Sequence, residues 1–221
     1  MLHFLQATNL NLQIQKNVMQ IVVKARSEQK ASLLALNLAK ELTIHWVTDL
    51  KNIPSAQAYF DLCFEEEGFA FRTILNAPIF VSAVLIPSNL LPDNAIRMNG
   101  WESFLNRSVW EISGKSHFLN QNAIAILEQL GIRGIQVPDE PGFIAARVIG
   151  MIINEAYFAL GEGLSSKEEI DIAMKLGTNY PMGPFEWASK IGLQKIASLL
   201  KILSLKDDRY APAPALLAEL V

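Results

Sequence analysis

Apolar positions along this chain change their spacing once. Up to Val137 they come in short runs rich in Val, Ile and aromatic residues: "MQIVVKA", "TIHWVTD", "YFDLCFE", "PIFVSAVLI", "SVWEISG" and "RGIQV". Runs of this length predict strands, and their alternation with helical or loop stretches predicts an α/β layer with a mainly parallel sheet. The first connection, "SEQKASLLALNLAKEL", mixes Leu33, Leu34, Leu36, Leu38 and Leu42 with alanines and predicts a helix packed on that sheet. A second helix, "NQNAIAILEQLG", stands before "RGIQV", with Gly131 as its C-terminal cap.

At "VPDEPGF" the texture changes, because two prolines and an acidic pair mark a linker and no further strand pattern follows. The reading is therefore two domains, 1–139 and 140–221. "GFIAARVIGMIINEAYFALGEG" is apolar around nearly its whole circumference, which predicts a central helix covered on every side. "SSKEEIDIAMKLG" has Ser166 and Glu169 at capping-box spacing, and "PFEWASKIG", "LQKIASLLKIL" and "PALLAELV" predict further helices. In the corner "GTNYPMGPFEW", Gly177 is expected as a left-handed cap, Pro181 as a stop and Pro184 as the first residue of the next helix. The stripe Trp187, Ile191, Ile196, Leu199, Leu200 and Leu203 exceeds what the sheet layer is expected to cover. The expectation is a twofold partner anchored by Tyr180, Phe185 and Trp187. The alternative is that "PALLAELV" folds back over the same stripe.

Composition narrows the class of partner. With 221 residues, 51% apolar, 19% charged and a net charge of −3, the chain is a globular protein with no basic stripe, so neither nucleic acid nor a membrane surface is an expected partner. The start lacks the pattern of a signal peptide, and the longest apolar segment contains Arg147 and Glu155, which reads as cytoplasmic. The single Cys63 has no partner for an internal disulfide and reads as a small core residue. His3, His45 and His117 have no cysteine, histidine or carboxylate at metal-ligand spacing, so no metal site is expected.

The stretch "PGFIAARVIGMIINEAYFALGEGLSSKEEIDIAMKLGTNYPMGPFEWASKIGL" resembles the C-terminal domain of the 3-hydroxyacyl-CoA dehydrogenases, without a gap from "PGFI" to the "YPMGPFE" corner. The resemblance implies a helical domain of the 6-phosphogluconate dehydrogenase C-terminal-like type. In the family this domain forms the dimer and closes one side of an acyl-CoA cleft, and an NAD-binding Rossmann domain supplies the other. The first half resembles that Rossmann domain in shortened form. Anchored on "LLALNLA", the family's Gly-x-Gly-x-x-Gly falls on Arg26, Glu28 and Ala31, so all three glycines are replaced. Those glycines permit positive φ and close approach of backbone to pyrophosphate, which side chains prevent. Arg26 or Lys30 would partly offset the Glu28 charge. Asp49 stands where such folds place a ribose-binding acid, and also where a turn former commonly ends a strand.

The family's chemistry uses an imidazole general base oriented by a Glu, with Ser and Asn side chains on the substrate oxygen. Its "His-Phe-Phe-Asn-Pro" maps onto "SFLNR", which sets Ser103 at the base and retains Asn106, while Glu111 matches the orienting acid. Leu85 falls at the catalytic Ser and Ala146 at the catalytic Asn. Glu65 matches an acid near the nicotinamide, although Glu65, Glu66 and Glu67 together read more simply as a solvated strand end. A hydroxyl has no site that titrates near neutrality, so Ser103 cannot serve as general base. The reading is a 3-hydroxyacyl-CoA dehydrogenase-like protein without the reaction or the cofactor, keeping a dimeric fold and a cleft for an acyl or CoA-type ligand. The alternative is a working NAD-dependent enzyme in which the fold brings Glu111 to His45 or His117.

Overall fold

The computed structural model describes residues 18–221, so His3 lies outside the described residues. Seven strands form one sheet: β1 Met19–Lys24, β2 Leu42–Trp46, β3 Ala58–Asp61, β4 Ile79–Ser82, β5 Ala95–Met98, β6 Val109–Gly114 and β7 Arg133–Gln136. Their spatial order is β2-β1-β3-β4-β5-β6-β7, with every neighbouring pair parallel except β5 and β6. The chain runs from β1 outward to β2 and then back across to β3, which makes the crevice between β1 and β3 the switch point of the sheet.

Period-two alternation explains the layers. Ile21 and Val23 face one side with Phe60 and Phe80, whose rings stack at 4.6 Å, and helices α1 (Ser27–Leu34) and α4 (His117–Gln129) cover them. Val22, Tyr59, Ile79 and Val81 face the other side, where Phe71 and Leu91 from the connections close the layer. Two short helices, α2 (Phe64–Glu67) and α3 (Glu102–Leu105), lie between strands.

Two expectations change. The strand "AIRM" was not anticipated, because Arg97 interrupts its apolar run, yet all four residues are buried. The first helix ends at Leu34 instead of continuing to Leu42. Leu34 is exposed, and the following residues are held in an irregular path by the Ala39 N–H, which donates to Leu130 O at 3.1 Å. The expected mainly parallel sheet is present, with β5–β6 as its one antiparallel pair.

Beyond β7 the described chain is helical: α5 Ala145–Gly161, α6 Lys167–Thr178, α7 Pro184–Ile191, α8 Leu193–Ser204 and α9 Pro214–Ala218. The turn into α5 uses positive φ at Gly142 (82°) and Phe143 (49°), and the Gly142 N–H donates to Val84 O at 2.8 Å. The Ser166–Glu169 capping box is formed. The left-handed cap of α6 is Asn179 (φ 56°, ψ 34°), two residues beyond Gly177, because the helix continues through Thr178. Asn tolerates this conformation better than other side chains do.

The corner is held by a buried acidic side chain. Asp171 of α6 is buried and accepts from the Phe185 N–H at 2.8 Å and the Glu186 N–H at 3.2 Å, satisfying two orphan donors at the start of α7. A Cβ on Gly183 would stand 2.2 Å from that carboxylate, so the residue must be glycine.

The stripe expected to need a partner is covered within the chain. Trp187, Ile191, Ile196, Leu199, Leu200 and Leu203 are all buried, at 4% exposure or less, in one core that also takes Val84, Trp101, Phe104 and Val137 from the sheet half. Burial contributes roughly 1.5–3 kcal/mol for each such side chain. Phe185 is buried as well and Tyr180 packs against Trp187 at 5.4 Å, so these are core residues rather than interface anchors. The terminal α9 folds back onto α5 and α8 with Leu216 buried. The central helix is instead the open one, since Ile144 and Val148 are each 53% exposed.

One buried cation joins the halves. Arg97 of β5 donates to Ala83 O (2.9 Å), Val84 O (3.2 Å) and Glu140 O (3.3 Å), pairs with Asp139 and lies over the Phe143 ring at 4.5 Å. Burial alone would push the Asp139 carboxyl up, but the Ser88 hydroxyl and Arg97 hold it below the ordinary carboxylate range.

Candidate functional site

The last pair in the β5–β6 ladder sets Met98 opposite Ile112, and the residues adjoining that pair, Asn99 and Glu111, line one cavity. Gly100 allows the chain to turn there, since a Cβ would fall 2.5 Å from Ser82 Oγ. Asn99 is 4% exposed, and neither its amide nitrogen nor its amide oxygen has a partner. Glu111 is 8% exposed. Its Oε1 accepts from the Ile144 N–H (3.1 Å) and the Ala145 N–H (2.9 Å) at the start of α5, while Oε2 has no partner. Asn99 and Glu111 line a cavity of about 170 Å³ with Phe104, Arg107, Ile135 and Ala145 among its walls.

The other residues expected at the site do not gather here. Ser103 is buried in α3 with its hydroxyl unpartnered and is not a wall of this cavity; Asn106 is the exposed cap that ends α3. Ala146 is buried in the first turn of α5. Leu85 takes part through its backbone, the N–H donating to Glu65 Oε1 at 2.7 Å. Glu65 Oε2 accepts from the Trp101 indole N–H at 2.8 Å. Its reading as part of a solvated strand end is therefore wrong. It sits in α2 as a half-buried clamp, and burial pushes its carboxyl above the ordinary range against the pull of Leu85, Trp101 and Lys195.

At the switch point the space above the β1–α1 turn is filled from within. Gln29 is buried, its amide nitrogen donating to Leu62 O at 2.6 Å and its oxygen accepting from the Arg26 N–H at 3.0 Å. Around it Lys24 pairs with Glu67 (2.7 Å), Arg26 with Glu66 (3.0 Å), and Lys195 of α8 with Glu66 (2.7 Å). Glu28 and Ala31 face outward. Asp49 is exposed and accepts from the Lys51 N–H at 2.9 Å, the bond of a turn former. Cys63 is buried and free.

His45 and His117 remain apart from Glu111. His45 is on the edge strand β2, with β1, β3, β4 and β5 between it and β6. His117 is exposed at the start of α4, beyond the far end of β6. Among the described residues no group of three His, Cys, Asp or Glu is placed to hold a metal ion. No helix of the described chain is long and apolar enough to cross a membrane.

The profile of the 3-hydroxyacyl-CoA dehydrogenase C-terminal domain matches residues 142–221. The match is confined to these residues, and it is this segment that is similar to the family's C-terminal domain. The 3-hydroxyadipyl-CoA dehydrogenase of Escherichia coli (strain K12) is 43% identical over 98 residues, covering 43% of this chain and 21% of that protein. The probable 3-hydroxybutyryl-CoA dehydrogenase of Bacillus subtilis (strain 168) is 41% identical over 97 residues, covering 43% of this chain and 34% of that protein. The match thus spans about a third of these relatives' length at most. Over 92% of this chain and 93% of the other, the fold is similar to (S)-3-hydroxybutyryl-CoA dehydrogenase PaaH1 from Ralstonia eutropha, with a TM-score of 0.66 at 22% identity. Mycobacterium tuberculosis FadB2 gives 0.70 at 14%, with the same coverage. These likenesses establish a Rossmann-like layer followed by the family's helical domain.

Asn99 is the residue that sequence reasoning missed. The signal was available in "AIRM": read as a strand, it ends on Met98 and is followed directly by Asn99, whereas the family motif had been placed four residues beyond Asn99, on Ser103.

Proposed function

We propose that this chain is a 3-hydroxyacyl-CoA dehydrogenase-like protein that does not carry out the dehydrogenation and uses its inter-domain cleft to hold an acyl or CoA-type ligand. The observation that carries this reading is that the polar side chain lining the buried cavity with Glu111 is Asn99. In the family the group facing this acid is a base, and an amide cannot take a proton near neutrality. NAD does not fit the switch point either, since Gln29 occupies the approach that a pyrophosphate would need and Glu66 and Glu67 already use the nearby cations. The test is a spectrophotometric assay with 3-hydroxybutyryl-CoA and NAD at pH 7 to 9, together with calorimetric titration of NADH. Background rates and affinity no tighter than about millimolar are expected. Turnover that is lost in Glu111→Gln would overturn the reading.

Pairing of two copies through the helical half belongs to the same proposal, on a surface different from the one expected. Ile144 and Val148 on α5 and Ile172 and Leu176 on α6 are exposed, and α5 and α6 border an apolar groove of about 400 Å³. A second copy is the occupant that closes such a face on itself. Sedimentation equilibrium at tens of micromolar is expected to give twice 24.6 kDa, and a persistent monomer mass overturns it.

A further inference from the structure

Three cations of the helical half converge on one small cavity: Arg147 in the first turn of α5, Lys206 after α8 and Arg209 in the turn Asp208–Tyr210. The space is about 150 Å³, is closed by Glu140, Leu203 and Tyr210, and shares no wall with the cavity beside Glu111. Both guanidiniums lie over the ring of buried Tyr210, Arg209 at 4.6 Å and Arg147 at 5.9 Å, although like charges on one ring repel. Two carboxylates answer the three cations. Glu140 reaches Lys206 at 3.0 Å but Arg147 only at 3.9 Å, and Asp207, which is not a wall of the cavity, takes Arg209 Nε at 3.1 Å.

The donors show the same surplus. A guanidinium has five N–H groups. Arg147 gives one to Pro141 O at 2.9 Å, its Nε has no partner, and its Nη1 makes no bond among the described residues. Arg209 uses Nε on Asp207 and Nη2 on the Tyr210 hydroxyl, which leaves its Nη1 open as well. We infer that this cavity binds a phosphate group between Arg147 and Arg209, with Lys206 as the third positive charge. One guanidinium fork fills the two oxygens of a carboxylate, whereas a phosphate has oxygens for two forks and an ammonium together. A space of about 150 Å³ admits several water-sized groups, enough for a phosphate. An open bowl of about 610 Å³ adjoins it, sharing Arg147, Arg209 and Tyr210 and continuing over Val148 and Met151. Glu155 brings a negative charge to the bowl, which sets the phosphate in the smaller space and leaves the bowl to any organic group it carries.

The experiment is calorimetric titration of the intact chain with sodium phosphate at about pH 7.5, with sodium chloride holding the ionic strength constant so that screening does not change. The NMR signal of the Arg147 Nε–H locates the site. Half-saturation at about 1 mM or below is expected, with the Arg147 signal moving in step. Arg209→Gln, at an exposed position whose loss leaves the core intact, should weaken phosphate about tenfold. Butyl phosphate separates the sources: tighter binding than phosphate supports an ester lying on Val148 and Met151, and equal binding supports free phosphate. No heat and no movement of the Arg147 signal up to about 20 mM phosphate, or binding that Arg209→Gln leaves unchanged, would overturn the inference.

Discussion

The α6–α7 corner and the β1–α1 turn both have to satisfy the exposed N–H groups at the start of a helix, and they do it in opposite ways. At the corner the partner comes from another helix: Asp171 reaches over Gly183, and the missing Cβ is what lets it arrive. At the turn the chain uses Gln29 from the helix itself, tied to Leu62, with no glycine at the positions that would admit a phosphate. In one place glycine makes room for a carboxylate of the chain. In the other, a side chain of the helix itself supplies the partners. The helical half thus keeps its pattern because its ligand is internal, and the sheet half has become internally satisfied at a place where the family's pattern expects a cofactor.

The comparison can be broken most severely at the joint between the halves. Arg97→Met removes the cation from Asp139 and from three carbonyls, and a loss of about 3 kcal/mol is expected in urea unfolding, at the low end for a broken buried pair because Asp139 is partly exposed. A change below about 1 kcal/mol would mean that the halves are held by apolar contact alone. Next, Asp171→Ala should cost about 2 kcal/mol, the upper range for a lost cap, and an unchanged midpoint would remove the internal-ligand account of the corner. Gln29→Gly should cost about 1 kcal/mol and still give no NADH binding tighter than about millimolar, because the ion pairs around it remain. Micromolar NADH affinity in that variant would show that one side chain alone closes the seat.

The smallest effect concerns pH. Burial raises the folded-state pKa of Glu65, so the native state holds a proton that the unfolded chain has released. The contribution of this group is complete below the unfolded value near 4.5 and declines as pH rises through the folded value. Glu65→Gln should therefore be least different from the wild type at acid pH and gain on it as pH rises toward neutrality. Equal slopes of stability against pH in the two proteins would remove the clamp's charge from the account.

What could be read in the sequence follows from range of contact. The capping box at Ser166, Pro184 at the first turn of α7 and Gly131 after α4 depend on neighbours a few residues away, and all three are formed as expected. Arg97 misled the strand reading because its burial is made possible by Asp139 and by carbonyls far along the chain, which no local window contains. The burial of Leu199 and Trp187 likewise depended on a sheet half that supplies Val84, Trp101 and Phe104 to their core. Asn99 was lost with its strand.

Glu111 caps α5 with one oxygen and leaves the other free. The longest helix of the described chain begins on this carboxylate, so the fold constrains Glu111 whether or not the chain carries out a reaction, and the presence of an acid at this place is an obligation of architecture before it is a sign of activity.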